Sequence, residues 1–179
     1  MRLISLLYIA CRVIYVHAKG KGKQAHSKED KVMTNIFEET YNTIAEAKKA
    51  YKAATSAEER DTAREAAKAA EDKIGEMVIR RDIAWKIWRA YEKSRDNENE
   101  ILDFDDIIWG RDVEALVACM RENGIKAFTY SCRATDAIET LWLFKEAGCT
   151  IGEMVEVNLR KDLWGKGYEK GHAFKMILN

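Results

Sequence analysis

Apolar positions along this chain recur first at helical and later at strand spacing, and the change of period divides the molecule. From Phe37 they fall on Tyr41, Ile44 and Tyr51, with alanines at 45, 47, 50, 53 and 54 on the adjoining face, which predicts an amphipathic helix over 35–54. Asn35 with Glu38 has the capping-box pattern at its start. Thr55 and Ser56 end it. Ser56, with Glu59 three residues on, opens a second helix, and the series Ala63, Ala67, Ala70, Ile74, Met77, Ala84, Trp88, Tyr91 carries it to about Lys93. Gly75 and the run Ile79, Arg80, Arg81 mark a kink or change of face. Residues 33–93 therefore read as a long helical hairpin. Its alanine seam buries little apolar area, so the arm must lean on the rest of the chain or on a second copy through Trp85, Trp88 and Tyr91.

After the polar stretch Ser94 to Glu100, short β-rich runs alternate with helix-period runs over 94–179. Strands are expected at Ile101 to Phe104, Ile125 to Ser131, Met154 to Leu159 and His172 to Leu178. Between the first two lies helix A, with Val113, Leu116, Val117 and Met120 facing the sheet until Gly124. Helix B follows, with Ile138, Leu141, Trp142 and Lys145 at helical spacing and Gly148 as its stop; Trp142 and Phe128 are expected to be buried between helix B and the sheet. The first three strands should be parallel through crossovers and the last antiparallel. In-register pairing of the last two puts Val157 opposite Phe174 and Glu156 opposite Lys175, leaving a loop from Arg160 to Gly171. The fold class is α/β (α+β): a helical hairpin followed by a four-stranded mixed sheet with two crossover helices.

Residues 1–32 break composition with everything after them: a charged start, an apolar run from Leu3 to Cys11, the Arg12 interruption, then a basic Gly/Lys stretch. The run is too short and too interrupted for a membrane span, and it resembles a secretion signal only faintly. It reads as a leader outside the core, with Met33 a natural structural start. Basic and acidic residues balance at 30 each, which leaves no global footprint for nucleic acid or an anionic membrane. Local patches remain. Residues 92–114 carry nine acids against Lys93, Arg95 and Arg111. Four cysteines without a CxxC pair, and the absence of proline, fit reduced thiols, long helices and a cytoplasmic protein.

The carboxyl ends of parallel strands form the usual rim for a site in such a sheet. Asp105 and Asp106, Ser131, Cys132 and Arg133, Asn158 and Arg160, and His172 collect there. Ser131 is either an anion ligand at a helix start or a plain cap. Cys132 with His172 lacks an orienting third group. The chain has no P-loop, GxGxxG, HExxH or zinc-ligand spacing, so neither catalytic residues, a metal nor a cofactor are assigned. For partner binding the acidic row Asp96, Glu98, Glu100, Asp103, Asp105 and Asp106 is the densest candidate; Arg160, Lys161, Trp164, Lys166, Tyr168 and Lys170 form a basic, aromatic segment suited to RNA.

The block IIWGRDVEALVACMRENGIKAFTYSCRATDAIETLWLFKEAGCTIGEMVEVN, preceded by EAKKAYKAATSAEER, resembles a family of small proteins carried on mobile elements and phages of anaerobic gut bacteria. The resemblance covers residues 33–179. Relatives often read FTFSSTWSSAVETAW where this chain has FTYSCRATDAIETLW, so Cys132 and Arg133 depart from the pattern. Some proteins of that genomic setting inhibit type II CRISPR effectors. The resemblance thus implies an anti-CRISPR protein that binds the RNA-guided nuclease or its guide RNA complex, with the acidic row competing for its basic channels. A nuclease or other hydrolase acting at the rim, and a homodimeric module without chemistry, are the alternatives.

Overall fold

The computed structural model describes residues 35–77, 81–162, 165 and 167–179, with Arg81 as backbone only; the leader over 1–32, Met33, Trp164 and Lys166 lie outside the described residues. Among the described residues there are five helices and a four-stranded mixed sheet, an α+β fold.

Helix α1, Ile36–Ala53, begins at Asn35, whose Oδ1 accepts from Phe37 N at 3.0 Å. Glu38 does not complete a capping box and lies instead 3.5 Å from Arg95. At α2, Ala57–Gly75, the box is complete: Ser56 Oγ accepts from Glu59 N, and Glu59 accepts in return from Ser56 N and Thr55 N. The expected single second helix is two. Helix α2 stops at Gly75, where the backbone entropy cost of glycine makes propagation weakest, and α3 runs separately over Arg81–Asp96. Helix α1 joins α3 through rings: Phe37 and Tyr41 each lie 6.3 Å from Tyr91, which stacks on Trp88 at 6.5 Å. Trp88 and Tyr91 are therefore core, and Trp85 is half-buried against it.

Strand β1, Leu102–Phe104, pairs in parallel with β2, Ala127–Tyr130. Between them α4, Gly110–Glu122, buries Val113, Leu116, Val117 and Met120, as their spacing predicts. Asn123 and Gly124, the latter at φ 69°, end it. Helix α5, Ala137–Glu146, leads to β3, Cys149–Lys161, and a long hairpin returns as β4, Tyr168–Leu178. The sheet order is β1-β2-β4-β3. The first three strands share a direction, but β4 lies antiparallel between β2 and β3, so β3 takes the edge.

Two expectations about this half need correction. The β3–β4 register places Val157 opposite Gly171, Glu156 opposite His172 and Met154 opposite Phe174, because irregularities at Ile151/Met154 and Asn158/Arg160 break strict alternation. The hairpin also continues to Lys161 and resumes at Tyr168, so the loop is shorter than Arg160 to Gly171. Gly171 leaves room for Leu159: a Cβ there would sit 2.7 Å from Leu159 Cδ1, so that side chain would have to shift. Second, Trp142 is 54% exposed. The buried side of α5 is Thr140, Leu141 and Phe144, and Phe144 packs on Phe128 and Tyr130 at ring distances of 4.9 and 5.9 Å. Ile138 and Trp142, four residues apart, share the outer side. Deleting Phe144 to alanine should cost roughly 3–5 kcal/mol in a denaturant titration, as an aromatic core deletion does. Trp142→Ala should cost less than about 1 kcal/mol, since exposed positions rarely exceed that; the opposite ranking would place Trp142 in the core.

Candidate functional site

At the carboxyl ends of β1 and β2 the chain brings together a buried carboxylate and two hydroxyls. Asp103 is 6% exposed, and its two oxygens accept from Thr129 Oγ1 and Ser131 Oγ, each at 2.7 Å. Its own N–H donates to Ser94 Oγ at 2.8 Å, tying β1 to α3. Register explains the cluster: Asp103 and Thr129 are direct parallel partners, on the face opposite Phe128. Burial pushes the Asp103 carboxyl above its ordinary value; the two hydroxyls oppose that shift, Asp105 adds to it and Lys93 opposes it.

The rest of the rim is held by internal contacts. Ser131 donates to Asp103, so it is not a free anion ligand. Asn158 N and Nδ2 donate to Asn99 Oδ1 and Asn97 O, while Asn99 Nδ2 and Asn97 Nδ2 donate to Asn158 O and Leu159 O, at 2.7–2.9 Å. These four bonds clamp the hairpin to the α3–β1 connection. Arg133 and Arg160 converge on Glu169, and His172 is exposed opposite Glu156.

The acidic row divides. Asp96 accepts from the Tyr41 hydroxyl at 3.1 Å, Asp103 is buried, and Asp105 pairs with Lys93. Glu98, at φ 58° beside the Tyr168 hydroxyl, is exposed, as are Glu100 and Asp106. In the basic segment Lys170 pairs with Glu156 at 3.1 Å and Arg160 with Glu169, while Lys161 is exposed.

Two features were not singled out from the sequence. A cleft of about 570 Å3 opens between α3 and the β1–α4 connection, lined by Trp85, Lys86, Arg89 and Lys93 on one wall and by Asp105 to Ile108 on the other. The i, i+3, i+7 spacing of Lys86, Arg89 and Lys93 on a predicted helix was the available signal. The second is an apolar outer face on the helix side of the sheet. Trp109 is 59% exposed, Ile138 71% and Trp142 54%, and Leu143 lies close enough to Gly110 that a Cβ there would meet its Cδ1 at 2.8 Å. Ile151 and Met154 of the edge strand, partners of Met176 and Phe174, add exposed apolar surface on that same side.

Among the described residues no group of three or more His, Cys, Asp or Glu is placed to hold a metal, and no helix is long and apolar enough to cross a membrane. A family model described as a domain of unknown function, DUF7698, matches residues 86–178, and the chain belongs to that family. The match begins inside α3 and leaves α1 and α2 outside it. No curated protein and no solved structure matches.

The raised Asp103 carboxyl gives a pH dependence of definite sign. Because the folded state holds the proton more tightly than the unfolded chain, its contribution to stability is full below the ordinary value of 3.8 and is lost as pH rises through the raised one. Asp103→Asn keeps a hydrogen-bonding amide without the buried charge. Unfolding midpoints of the two proteins, compared from acid to neutral pH, should move in favour of the variant as pH rises. Parallel curves would mean that Asp103 does not titrate in this range.

Proposed function

We propose that this DUF7698 protein is a stoichiometric binding protein without catalysis, and that its target is the RNA-guided nuclease of a type II CRISPR system, or its guide RNA complex, which it inhibits. The observation that carries the binding reading is the pair of half-exposed tryptophans: Trp109 at the N-cap of α4, and Trp142 on α5 beside exposed Ile138 and Leu143. Large exposed aromatic side chains on a rigid scaffold are the residue type that dominates protein interfaces, and an apolar patch left in water marks such a surface. The identity of the target rests on the resemblance to proteins of phages and mobile elements.

The acidic row supports a smaller part than its sequence density suggests. With Asp96, Asp103 and Asp105 engaged internally, Glu98, Glu100 and Asp106 are left to contribute charge at the edge of an interface, where it guides encounter more than it holds the complex. A hydrolase at the rim has less in its favour, because Ser131 and Asn158 already serve structural contacts.

In a cleavage assay with guide-loaded nuclease, inhibition should rise with the protein-to-nuclease ratio, saturate near equivalence and leave the guide RNA whole. The Trp109→Ala, Trp142→Ala double variant should require at least about tenfold more protein, as loss of an interface anchor worth about 2 kcal/mol implies. Sub-stoichiometric action with accumulating RNA or DNA fragments would favour the hydrolase. If the wild-type chain runs as a dimer that the double variant abolishes, with no effect on the nuclease, the face serves a second copy.

A further inference from the structure

The cleft between α3 and the β1–α4 connection contains neither tryptophan of the binding face, and its chemistry is specific enough to name a ligand. We propose that it binds a nucleoside phosphate, with the phosphate on Arg89 and the base on Trp85.

Three cations reach the cleft from α3. Lys86 is 3.4 Å from Asp112 and Lys93 is bonded to Asp105, whereas Arg89 has no ion-pair partner among the described residues. An ammonium carries three donors and each lysine uses one here, so the wall presents spare N–H groups on both sides of an unengaged guanidinium. A planar guanidinium fork fits phosphate oxygens two at a time. The apolar part of the lining comes from half-buried Trp85 and exposed Ile107, above the buried Phe104 and Ile108. A bare anion would leave Trp85 and Ile107 uncovered. A flat base attached through a sugar to the phosphate covers them by stacking, which every base allows.

Across the cleft Asp106 is exposed and uses Oδ1 to hold Ile107 N at 2.7 Å. Its carboxylate keeps a second acceptor oxygen in the lining of the cleft, suited to sugar hydroxyls or base N–H groups. The volume of about 570 Å3 is within the range of about 300–1,000 Å3 usual for small-ligand sites. The cleft also lies just past the carboxyl end of β1, where open α/β sheets place their ligands.

A free nucleotide and the 5′ end of an RNA strand share this chemistry, and titration calorimetry separates them. The probes are the four ribonucleoside 5′-monophosphates, adenosine, inorganic phosphate and a 5′-phosphorylated single-stranded RNA of a few nucleotides. At least one monophosphate should bind saturably in the millimolar range or tighter, about tenfold better than phosphate or adenosine alone. Tighter binding of the RNA than of the monophosphates would identify a strand end; equal or weaker binding would identify the free nucleotide. Arg89→Glu and Trp85→Ala should each weaken binding about tenfold, while Lys49→Glu on α1 should not. Amide and indole resonances of the wild-type chain give a reading that needs no variant: shifts should centre on Trp85, Arg89 and residues 105–108. No saturable binding, phosphate binding as well as the nucleotides, an unaffected Arg89→Glu variant, or shifts centred elsewhere would each overturn the proposal.

Discussion

Helix α3 must satisfy neighbours on several sides, and that demand organises the molecule. One side gives Trp88 and Tyr91 to the aromatic cluster with Phe37 and Tyr41, so the alanine-rich hairpin gains the large apolar contact its own seam cannot supply. Ser94, near its end, accepts the Asp103 N–H and so fixes β1. Lys86, Arg89 and Lys93 remain directed at the cleft. A helix fixed by rings and by a strand holds its charged side at constant geometry, which is the condition for ligand recognition at low entropic cost. The family match begins within this helix, consistent with α3 belonging to the sheet as much as to the arm.

Much of the architecture was legible because it rests on periodicity. The apolar stripe of α4, the Ser56 box, the Gly124 stop and the antiparallel return of the last strand all follow from local pattern. What pattern could not give was competition between elements. The apolar residues of α5 fit two faces, and Phe144, absent from the stripe as first drawn, captured the sheet while Trp142 turned outward. Alternation fails to set the β3–β4 register for a related reason: most of β3 is exposed on both faces, so a bulge there loses little burial. The candidate site was legible as a list of residues at the rim, but their engagement was not. Partners such as Tyr41 for Asp96, or Asn97 and Asn99 for Asn158, are separated by 55 to 61 positions along the chain.

Charge behaves similarly. A segment with nine acids suggests a strong field, yet pairing with Lys93, a tyrosine hydroxyl and buried hydroxyls disperses it. Exposed ion pairs of this kind add about 0–1 kcal/mol each to stability. Their larger effect is to restrict which charges a partner meets. What reaches solvent is mixed in sign along the hairpin and, on α5, sets Ile138, Trp142 and Leu143 beside Glu139, Lys145 and Glu146, so neither surface presents a strong field of one sign.

The position of β4 has a consequence for how the chain folds. The last of the four strands in chain order, it lies between β2 and β3 and bonds both, and Leu178 N donates to Lys126 O. Until β4 is in place, β3 has no neighbour in the sheet, whereas the hairpin of α1 and α2 depends on local contacts that form early. Sheet closure is thus a late, non-local event, slower than the helical arm and vulnerable to association through exposed strands while it is pending. Without β4 the sheet falls into the β1–β2 pair and an unpaired β3, so one inner strand decides whether four strands become one sheet.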